Sequence, residues 1–285
     1  MEIASEESIE SHATDGDGPD FAKERPRWQT VSIDALYPLT AFVLAIGGWA
    51  AFVHFGKVKS YLLPSPQSVF TTMIEQRLFL WEQTQVTLAE IVYGFVIAVV
   101  VGIFMAILIS ASPLIEKSVY PLLVASQVIP KVALAPLFLI WLGFGIASKI
   151  VIVILISFFP IVVNGVIGLQ SLEQEKVYLA QSMGASKWST FWRIRFPQSL
   201  PSLFGGIKLA SIFAVVGAVV GEFIGAEAGL GRTLLQAQVR LNSQLLYATI
   251  GYLTIVGISI YVVVDIVERL AIPWHISKRK GAVGL

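Results

Sequence analysis

Cysteine is absent from the 285 residues, which excludes a disulfide framework, a thiolate metal site and a cysteine nucleophile. Charge is also scarce, since Asp, Glu, Lys and Arg make up only 14% of the chain, whereas a soluble domain carries about 25%. So few charges cannot cover a soluble body with polar surface. The net charge is +1 and the basic residues are scattered, which argues against a nucleic-acid-binding protein because such proteins concentrate Lys and Arg on one face.

Apolar residues are abundant, at 55% of the chain, and the mean hydropathy is +0.75. Stretches of about 20 apolar residues, enough to cross a bilayer, recur along the sequence. We predict an all-α integral membrane protein, a six-span helical bundle. The predicted spans are residues 35–55, 86–110, 119–142, 149–170, 203–225 and 244–270. Pro130 and Pro136 in the third span and Pro160 in the fourth predict kinked or broken helices, which are typical of bundles that line a path.

The ends of the chain differ in composition from the predicted membrane domain, residues 35–275. Residues 1–34 contain nine acidic and three basic residues, which predicts a disordered tail, and residues 276–285 form a short basic tail. With both termini inside, the inner face collects twelve Lys and Arg residues and the outer face six, Lys149 among them. This asymmetry predicts cytoplasmic termini.

The connection between the fourth and fifth predicted spans, residues 171–202, is named the connecting loop. Its first part, 172–183, can form a helix, Gly184 supplies a break, and Ser186 is a candidate N-cap for a second short helix. Pro197 and Pro201 are expected to close that helix before the next span. The second helix would place four side chains on one face, namely Trp188, Phe191, Trp192 and Arg195.

Two interpretations of this aromatic and basic helix remain open. It could lie in the lipid headgroups with Trp anchors. Alternatively, it could insert into a groove of a cytosolic partner, because Trp and Arg are typical anchors of protein interfaces.

The connecting loop resembles the EAA motif of ATP-binding-cassette importer permeases: Glu-Ala-Ala, three residues, Gly, nine residues, Ile, one residue, Leu-Pro. Gly184 matches the Gly, and Ile194 to Pro197 follow at the expected spacing. The triplet falls on residues 178–180, where only Ala180 is kept, and Phe196 replaces Leu.

Four further stretches resemble the nitrate/sulfonate/taurine-type branch of these permeases. They are LLPSP at Leu62–Pro66, IPKVALAPLFLIWLGFG at Ile129–Gly145, GEFIGAEAGLG at Gly221–Gly231 and IPWH at Ile272–His275. The resemblance spans about residues 60–275 and implies the type I importer transmembrane-domain fold.

The resemblance also implies partners and a docking site. It implies cytosolic ATPase subunits that hold ATP-Mg, a second permease copy in a homodimer, and an extracytoplasmic solute-binding protein, at the bacterial cytoplasmic (inner) membrane. The implied docking residues are Ala180, Gly184, Ala185, Ser186, Lys187, Trp188, Phe191, Trp192 and Pro197. The chain contains no G-x-x-x-x-G-K-[ST] loop for nucleotide phosphates, so we expect a transport subunit with no cofactor of its own, not an enzyme.

Polar residues within spans are candidates for a translocation path. Lys131 lies next to Pro130, with Gln127 about one turn earlier, and could meet an anionic or polar substrate. Alternatively, Lys131 could snorkel or pair with Glu222, itself a second path candidate or a structural residue. Asn164 is a further path candidate, although a hydrogen bond between helices is the favoured interpretation.

Two other features of the fifth span have structural interpretations. Lys208 is expected to snorkel to the cytoplasmic surface. Gly217, Gly221, Gly225 and Gly229 recur every four residues, which predicts close helix packing, within one chain or at a dimer axis. Gly225 and Gly229 could already lie in a turn before a short external helix.

The predicted function is an ATP-driven importer permease for a small polar or anionic solute. Nitrate, sulfonates and taurine fit the branch, and PKVALAPL at Pro130–Leu137 resembles relatives that carry vitamin-like molecules such as pyrimidine precursors or riboflavin. The alternatives are an ATP-independent secondary transporter or channel, which would need more intramembrane carboxylates or an inverted repeat, and a membrane scaffold.

Overall fold

The computed structural model describes residues 27–275, and the regular secondary structure of that range is all helical, as predicted. The α-helices are α1 (Arg27–Phe55), α2 (Pro66–Glu75), α3 (Arg77–Ala111), α4 (Pro113–Ser126), α5 (Ala135–Leu142), α6 (Ile146–Gln170), α7 (Gln174–Ser182), α8 (Lys187–Thr190), α9 (Phe196–Gly225), α10 (Leu230–Val239) and α11 (Ser243–Ala271). Short 3-10 turns lie at Lys131–Leu134 and Pro273–His275, and a π-helical turn at Phe191–Arg195.

The first of two units ends at Gly56 and contains α1. This helix begins at Arg27, so residues 27–34 of the predicted tail are helical. The remaining tail, 1–26, and the predicted basic tail, 276–285, lie outside the described residues. The apolar part of α1, Thr40–Phe55, is shorter than the roughly 20 residues of a full span, so the first predicted span stays a prediction.

The second unit, from Lys57 onwards, contains the other predicted spans. Four of its helices, α3, α6, α9 and α11, are long and apolar enough to cross a membrane. A fifth candidate is a bent pair: α4 and the segment Lys131–Leu142 meet at 84°. The predicted break in the third span is therefore confirmed, and it falls before Pro130, where proline disfavours helical geometry in the preceding residue. Pro136 lies in the first turn of α5, where a missing N–H is tolerated.

The fourth span, predicted to be kinked or broken, is not broken. Pro160 lies inside α6, which remains one continuous helix of 25 residues. A proline removes one backbone hydrogen bond from a helix, and in membrane bundles packed neighbouring helices make this tolerable. α6 has such neighbours, because it packs along both α3 and α9.

Glycines allow the close approach of α6 to its two neighbours. A Cβ on Gly94 of α3 would lie 2.5 Å from the Val153 Cβ, and one on Gly217 of α9 would lie 2.9 Å from the Val153 Cα. A Cβ on Gly221 would lie 3.2 Å from the Lys149 side chain. The glycine stripe of α9 therefore packs within the chain at these positions.

The last two glycines of the stripe border the connection to α10. Gly225 ends α9 against the ring of Phe144, and Gly229 precedes α10. The predicted turn and short helix after α9 are therefore confirmed.

Candidate functional site

The connecting loop begins with α7, which ends in a glycine turn as predicted. Gly184 has φ +86°, in the left-handed region that favours glycine. Its N–H donates to the Gln181 carbonyl at 2.9 Å, and the Ala185 N–H donates to the Ala180 carbonyl at 3.0 Å. This pair of hydrogen bonds is the Schellman motif that terminates helices. The Ala and Gly that match the EAA motif are thus the residues that form the turn.

The second helix of the connecting loop starts at the predicted N-cap. The Ser186 Oγ accepts a hydrogen bond from the Ser189 N–H at 3.2 Å. The prolines, however, do not close this helix: α8 continues through the π-helical turn into α9, with Pro197 in the first turn of α9 and Pro201 inside it. In the π-helical turn the Phe196 N–H bonds to the Phe191 carbonyl, and Pro197, which has no N–H to donate, follows directly at the start of α9.

The aromatic residues of the connecting loop form one cluster with divided exposure. The Trp192 ring lies 5.6 Å from Trp188, 5.2 Å from Phe191 and 5.2 Å from Phe196, between centroids. Trp188 is 72% exposed and Trp192 43% exposed, whereas Phe191 packs against a buried cluster of α3 and α6 that includes Val162. The predicted common face is therefore divided: the two tryptophans are available to a partner, and Phe191 anchors them to the bundle.

Three exposed apolar residues of α7 and its end were not predicted as docking residues. They are Tyr178, Leu179 and Met183, and Met183 is 79% exposed. Apolar side chains in an otherwise polar short helix are the sequence feature that could have identified them. With Trp188 and Trp192 they give the connecting loop five large exposed apolar side chains.

The path candidates Gln127 and Lys131 lie on either side of the break between α4 and α5. Gln127 is the exposed C-cap residue that follows α4, and Lys131 is half-buried. The Lys131 Nζ lies 4.4 Å from the centroid of the Phe159 ring on α6, a cation–π contact. The structure does not pair Lys131 with Glu222, because Glu222 bonds to Thr87 and to the backbone of α10 instead.

Asn164 makes its side-chain hydrogen bond within α6. Its Nδ2 donates to the Pro160 carbonyl at 2.8 Å, and the interhelical bond is made instead by its backbone carbonyl, which accepts from the Ser202 Oγ of α9 at 2.9 Å. A Cβ on Gly206 would lie 2.7 Å from the Asn164 Cβ. Asn164 thus lies where α6 and α9 come very close to each other.

Glu222 is 1% exposed and holds the start of α10. Its Oε1 accepts from the Thr87 Oγ1 at 2.6 Å, and its Oε2 accepts from the backbone N–H groups of Gly231 and Arg232. These N–H groups are unpaired donors of the first helical turn, and a carboxylate there also interacts favourably with the helix dipole. α3 contributes a further bond, from the Gly229 N–H to the Gln83 Oε1 at 2.7 Å.

A second carboxylate, Glu90 of α3, lies beside Glu222 and was missed in the sequence. Its Oε1 is 3.7 Å from the Nζ of Lys149, which also donates to the Phe144 carbonyl at 3.3 Å. Lys149 is 6% exposed, so its side chain is buried in the bundle, and the side of the membrane on which it lies stays a prediction. α3, α6 and α9 together bury two carboxylates and one ammonium in a polar cluster, formed by Thr87, Glu90, Lys149 and Glu222. It lies at the end of α9 opposite the connecting loop.

Lys208 does not snorkel, because two acids of α11 hold it inside the protein. Its Nζ pairs with Asp265 and Glu268 and lies 5.8 Å from the centroid of the Tyr261 ring. Asp265 is also bonded to the Nε of Arg269 at 2.7 Å. This network joins α11 to α9, the helix that continues from the connecting loop.

Comparison with known protein families gives a match over residues 98–273 to the family described as binding-protein-dependent transport system inner membrane component. The chain is 36% identical to the formylaminopyrimidine transport permease protein ThiX of Halalkalibacterium halodurans, over 86% of this chain and 98% of that protein. It is 32% identical to the riboflavin transport system permease protein RibX of Chloroflexus aurantiacus, over 89% and 94%. It is 27% identical to the taurine transport system permease protein TauC of Escherichia coli, over 87% and 91%.

Among solved structures, the fold is similar to a chain of the inward-facing MetNI methionine ABC transporter. The TM-score is 0.54 at 20% identity, covering 67% of this chain and 94% of that chain. This likeness confirms the predicted fold of an importer transmembrane domain.

Proposed function

This chain belongs to the family of binding-protein-dependent transport system inner membrane components, and we propose that it carries a small heteroaromatic or anionic solute with the connecting loop as its ATPase docking site. It is a multi-pass membrane protein and an ABC importer permease. The observation that carries the docking proposal is the connecting loop, with its exposed tryptophans on a rigid turn.

Three properties of the connecting loop support docking to a protein. Trp188 and Trp192 are exposed side chains of the type that dominates binding energy at interfaces. The Gly184 turn and the Ser186 cap fix their positions, so little ordering is needed on binding. Finally, α8 is continuous with α9, so displacement of the docked helix moves a rod of 39 residues, about 58 Å long.

The proposed assembly has two copies of this permease, two cytosolic ATPase subunits on the connecting loops, and an extracytoplasmic solute-binding protein. ATP-Mg would be held by the ATPase subunits, because this chain lacks a phosphate-binding loop. The excess of Lys and Arg on one face supports cytoplasmic termini in a bacterial inner membrane. Closure of the ATPases would then pull the connecting loops together and switch the bundle between inward-open and outward-open states.

For the substrate, we propose a pyrimidine-like or other vitamin-precursor heterocycle. The relatives named for formylaminopyrimidine and riboflavin are 36% and 32% identical to this chain, compared with 27% for the taurine permease. Gln127 and Lys131, at the break between α4 and α5, are the proposed path residues, because an amide and an ammonium can bind the polar groups of such a solute.

The test is affinity purification of the full chain from its native membrane in mild detergent, with mass spectrometry of the proteins that accompany it. We expect an ATPase subunit in equal stoichiometry, and its loss in Trp192→Ala. Trp81→Ala is the matched control, since it truncates an exposed tryptophan of α3 outside the connecting loop. A co-purifying binding protein would be titrated with formylaminopyrimidine, riboflavin and taurine.

Two outcomes would contradict the proposal. Recovery of the wild-type chain alone, with the connecting loop open to protease, would favour the ATP-independent transporter. Retention of the ATPase and normal uptake in Trp192→Ala would remove the docking role of the tryptophans while leaving the family assignment intact.

A further inference from the structure

A partly open cavity of about 420 Å³ lies behind the connecting loop. Its walls come from the end of α3 and from α7, α8 and the π-helical turn, and include Ile107, Ala111, Trp188 and Phe191. The size is typical of ligand sites, which are about 300–1,000 Å³. The docking role proposed above rests on the exposed Trp188 and Trp192. Trp188 also lines the cavity, but docking leaves the rest of the lining unexplained.

The charged residues that line the cavity are all basic. Lys187 and Arg195 line it, and the other lining side chains are neutral. The Arg195 Nε is buried and has no hydrogen-bond partner among the described residues. Buried polar groups are nearly always paired in folded proteins, and an arginine side chain can only donate. The cavity therefore fits a ligand that carries an anionic hydrogen-bond acceptor.

Apart from Gln181 and Thr190, the rest of the lining is apolar. Ile107 and Phe191 pack against the buried cluster of Ala106, Ile109, Val162, Val166 and Leu169. Ala111 is the last residue of α3, a membrane-spanning candidate, so this wall lies where the span ends. A ligand here would present its acceptor to the two lining cations and its apolar body to the end of α3.

We propose that this cavity binds one anionic phospholipid, with its phosphate on Lys187 and Arg195 and the start of an acyl chain against Ile107 and Phe191. Because the cavity is lined by two cations and no carboxylate, it favours a lipid with net negative charge over a zwitterionic lipid. On the predicted orientation, the cavity faces the cytoplasmic leaflet, where anionic lipids are enriched. The bound lipid would brace the connecting loop against α3. The effect of the bound lipid on coupling rests on the proposed docking role of the connecting loop, whereas lipid binding to the cavity does not.

The test is native mass spectrometry of the purified full chain, without other subunits, after exchange into detergent containing equal phosphatidylglycerol and phosphatidylcholine. We expect one phosphatidylglycerol per chain and little phosphatidylcholine. Arg195→Gln should weaken phosphatidylglycerol retention by about fivefold, the usual effect of one cation near anionic lipid. Arg193→Gln is the matched control, because Arg193 is exposed in the same π-helical turn and does not line the cavity.

A second variant tests the apolar part without changing charge. Ala111→Phe should fill part of the cavity and exclude the lipid, and the chain should remain folded because Ala111 is an exposed lining residue at the end of α3. Equal retention of both lipids, or full phosphatidylglycerol retention in both Arg195→Gln and Ala111→Phe, would overturn the proposal. If the lipid is lost when the co-purified ATPase is bound, the proposal is wrong for the assembled transporter. The cavity would then be assigned to a protein segment. Because the lipid measurement needs no ATPase, its failure is distinguishable from failure of the docking proposal.

Discussion

The Thr87 hydroxyl donates a hydrogen bond of 2.6 Å to the Glu222 carboxylate, joining α3 to the end of α9 across 135 residues of sequence. The same Thr87 oxygen accepts from the Leu230 N–H at 2.8 Å. One hydroxyl thus connects the transmembrane helix α3, the carboxylate of α9 and the first turn of α10.

Thr87→Val should destabilise the protein, because valine keeps the shape of threonine but leaves the Glu222 oxygen and the Leu230 N–H with one partner fewer. We expect a loss of about 1–3 kcal/mol in the free energy of unfolding, measured by denaturant titration in detergent. Thr254→Val is the control, since Thr254 is exposed and bonds only within α11. Equal stability of the two variants would show that the α3–α9 bond contributes nothing.

Gly229→Ala should be more damaging than an ordinary glycine substitution. Gly229 has φ +119°, and a Cβ there would lie 2.3 Å from the carboxylate of Glu222, so both the backbone and the packing oppose a side chain. We expect loss of the monodisperse peak in detergent chromatography. Gly205→Ala should be neutral or slightly stabilising, because Gly205 is in α9 with open space around it. A monodisperse Gly229→Ala protein would contradict this geometry.

Lys149→Met should leave Glu90 and Glu222 buried together without a cation. Removing one partner of a buried ion pair costs about 3–5 kcal/mol. Glu90→Gln in the Lys149→Met background should recover part of this loss, because the remaining charge is then single and bonded to Thr87 and the α10 backbone. A double-mutant cycle of thermal unfolding measures the coupling. Strictly additive single effects would show that Glu90 and Lys149 do not interact.

Gly184→Ala should reduce coupling and preserve the fold. A Cβ at this turn would have no atom within 4 Å, so the cost is the left-handed backbone alone, about 1–2 kcal/mol. Gly184→Asn should retain more activity, since asparagine tolerates this conformation. The measurement is substrate uptake together with ATPase activity in proteoliposomes. Identical uptake by the Ala and Asn variants would contradict a role for the turn geometry.

Local features were predictable because they depend on neighbours in sequence. A long apolar run identifies α3, α6, α9 and α11 whatever surrounds them. Pro130 breaks the third span through the steric restriction on the residue before it. Gly184 and Ser186 end and start helices through their own backbone and side-chain bonds.

Prolines were less predictable, because a neighbouring element decides whether a helix tolerates the missing hydrogen bond. Pro160 remains inside α6, which has α3 and α9 on either side. Pro197 follows a π-helical turn that no propensity rule anticipates. Local sequence therefore marks where a helix can break, and packing decides whether it does.

Hydropathy and turn chemistry are local properties, so the amino-acid sequence was enough to predict the membrane class, four membrane-spanning helices and the motif of the connecting loop. The partners of the buried charges depend on helix packing: Lys149 pairs with Glu90, and Lys208 pairs with the acids of α11. A single charge hardly changes the mean hydropathy of a 20-residue span, so its partner cannot be deduced from composition. The energetic penalty of burying an ion in the membrane requires such a partner, and helix packing alone determines which residue supplies it.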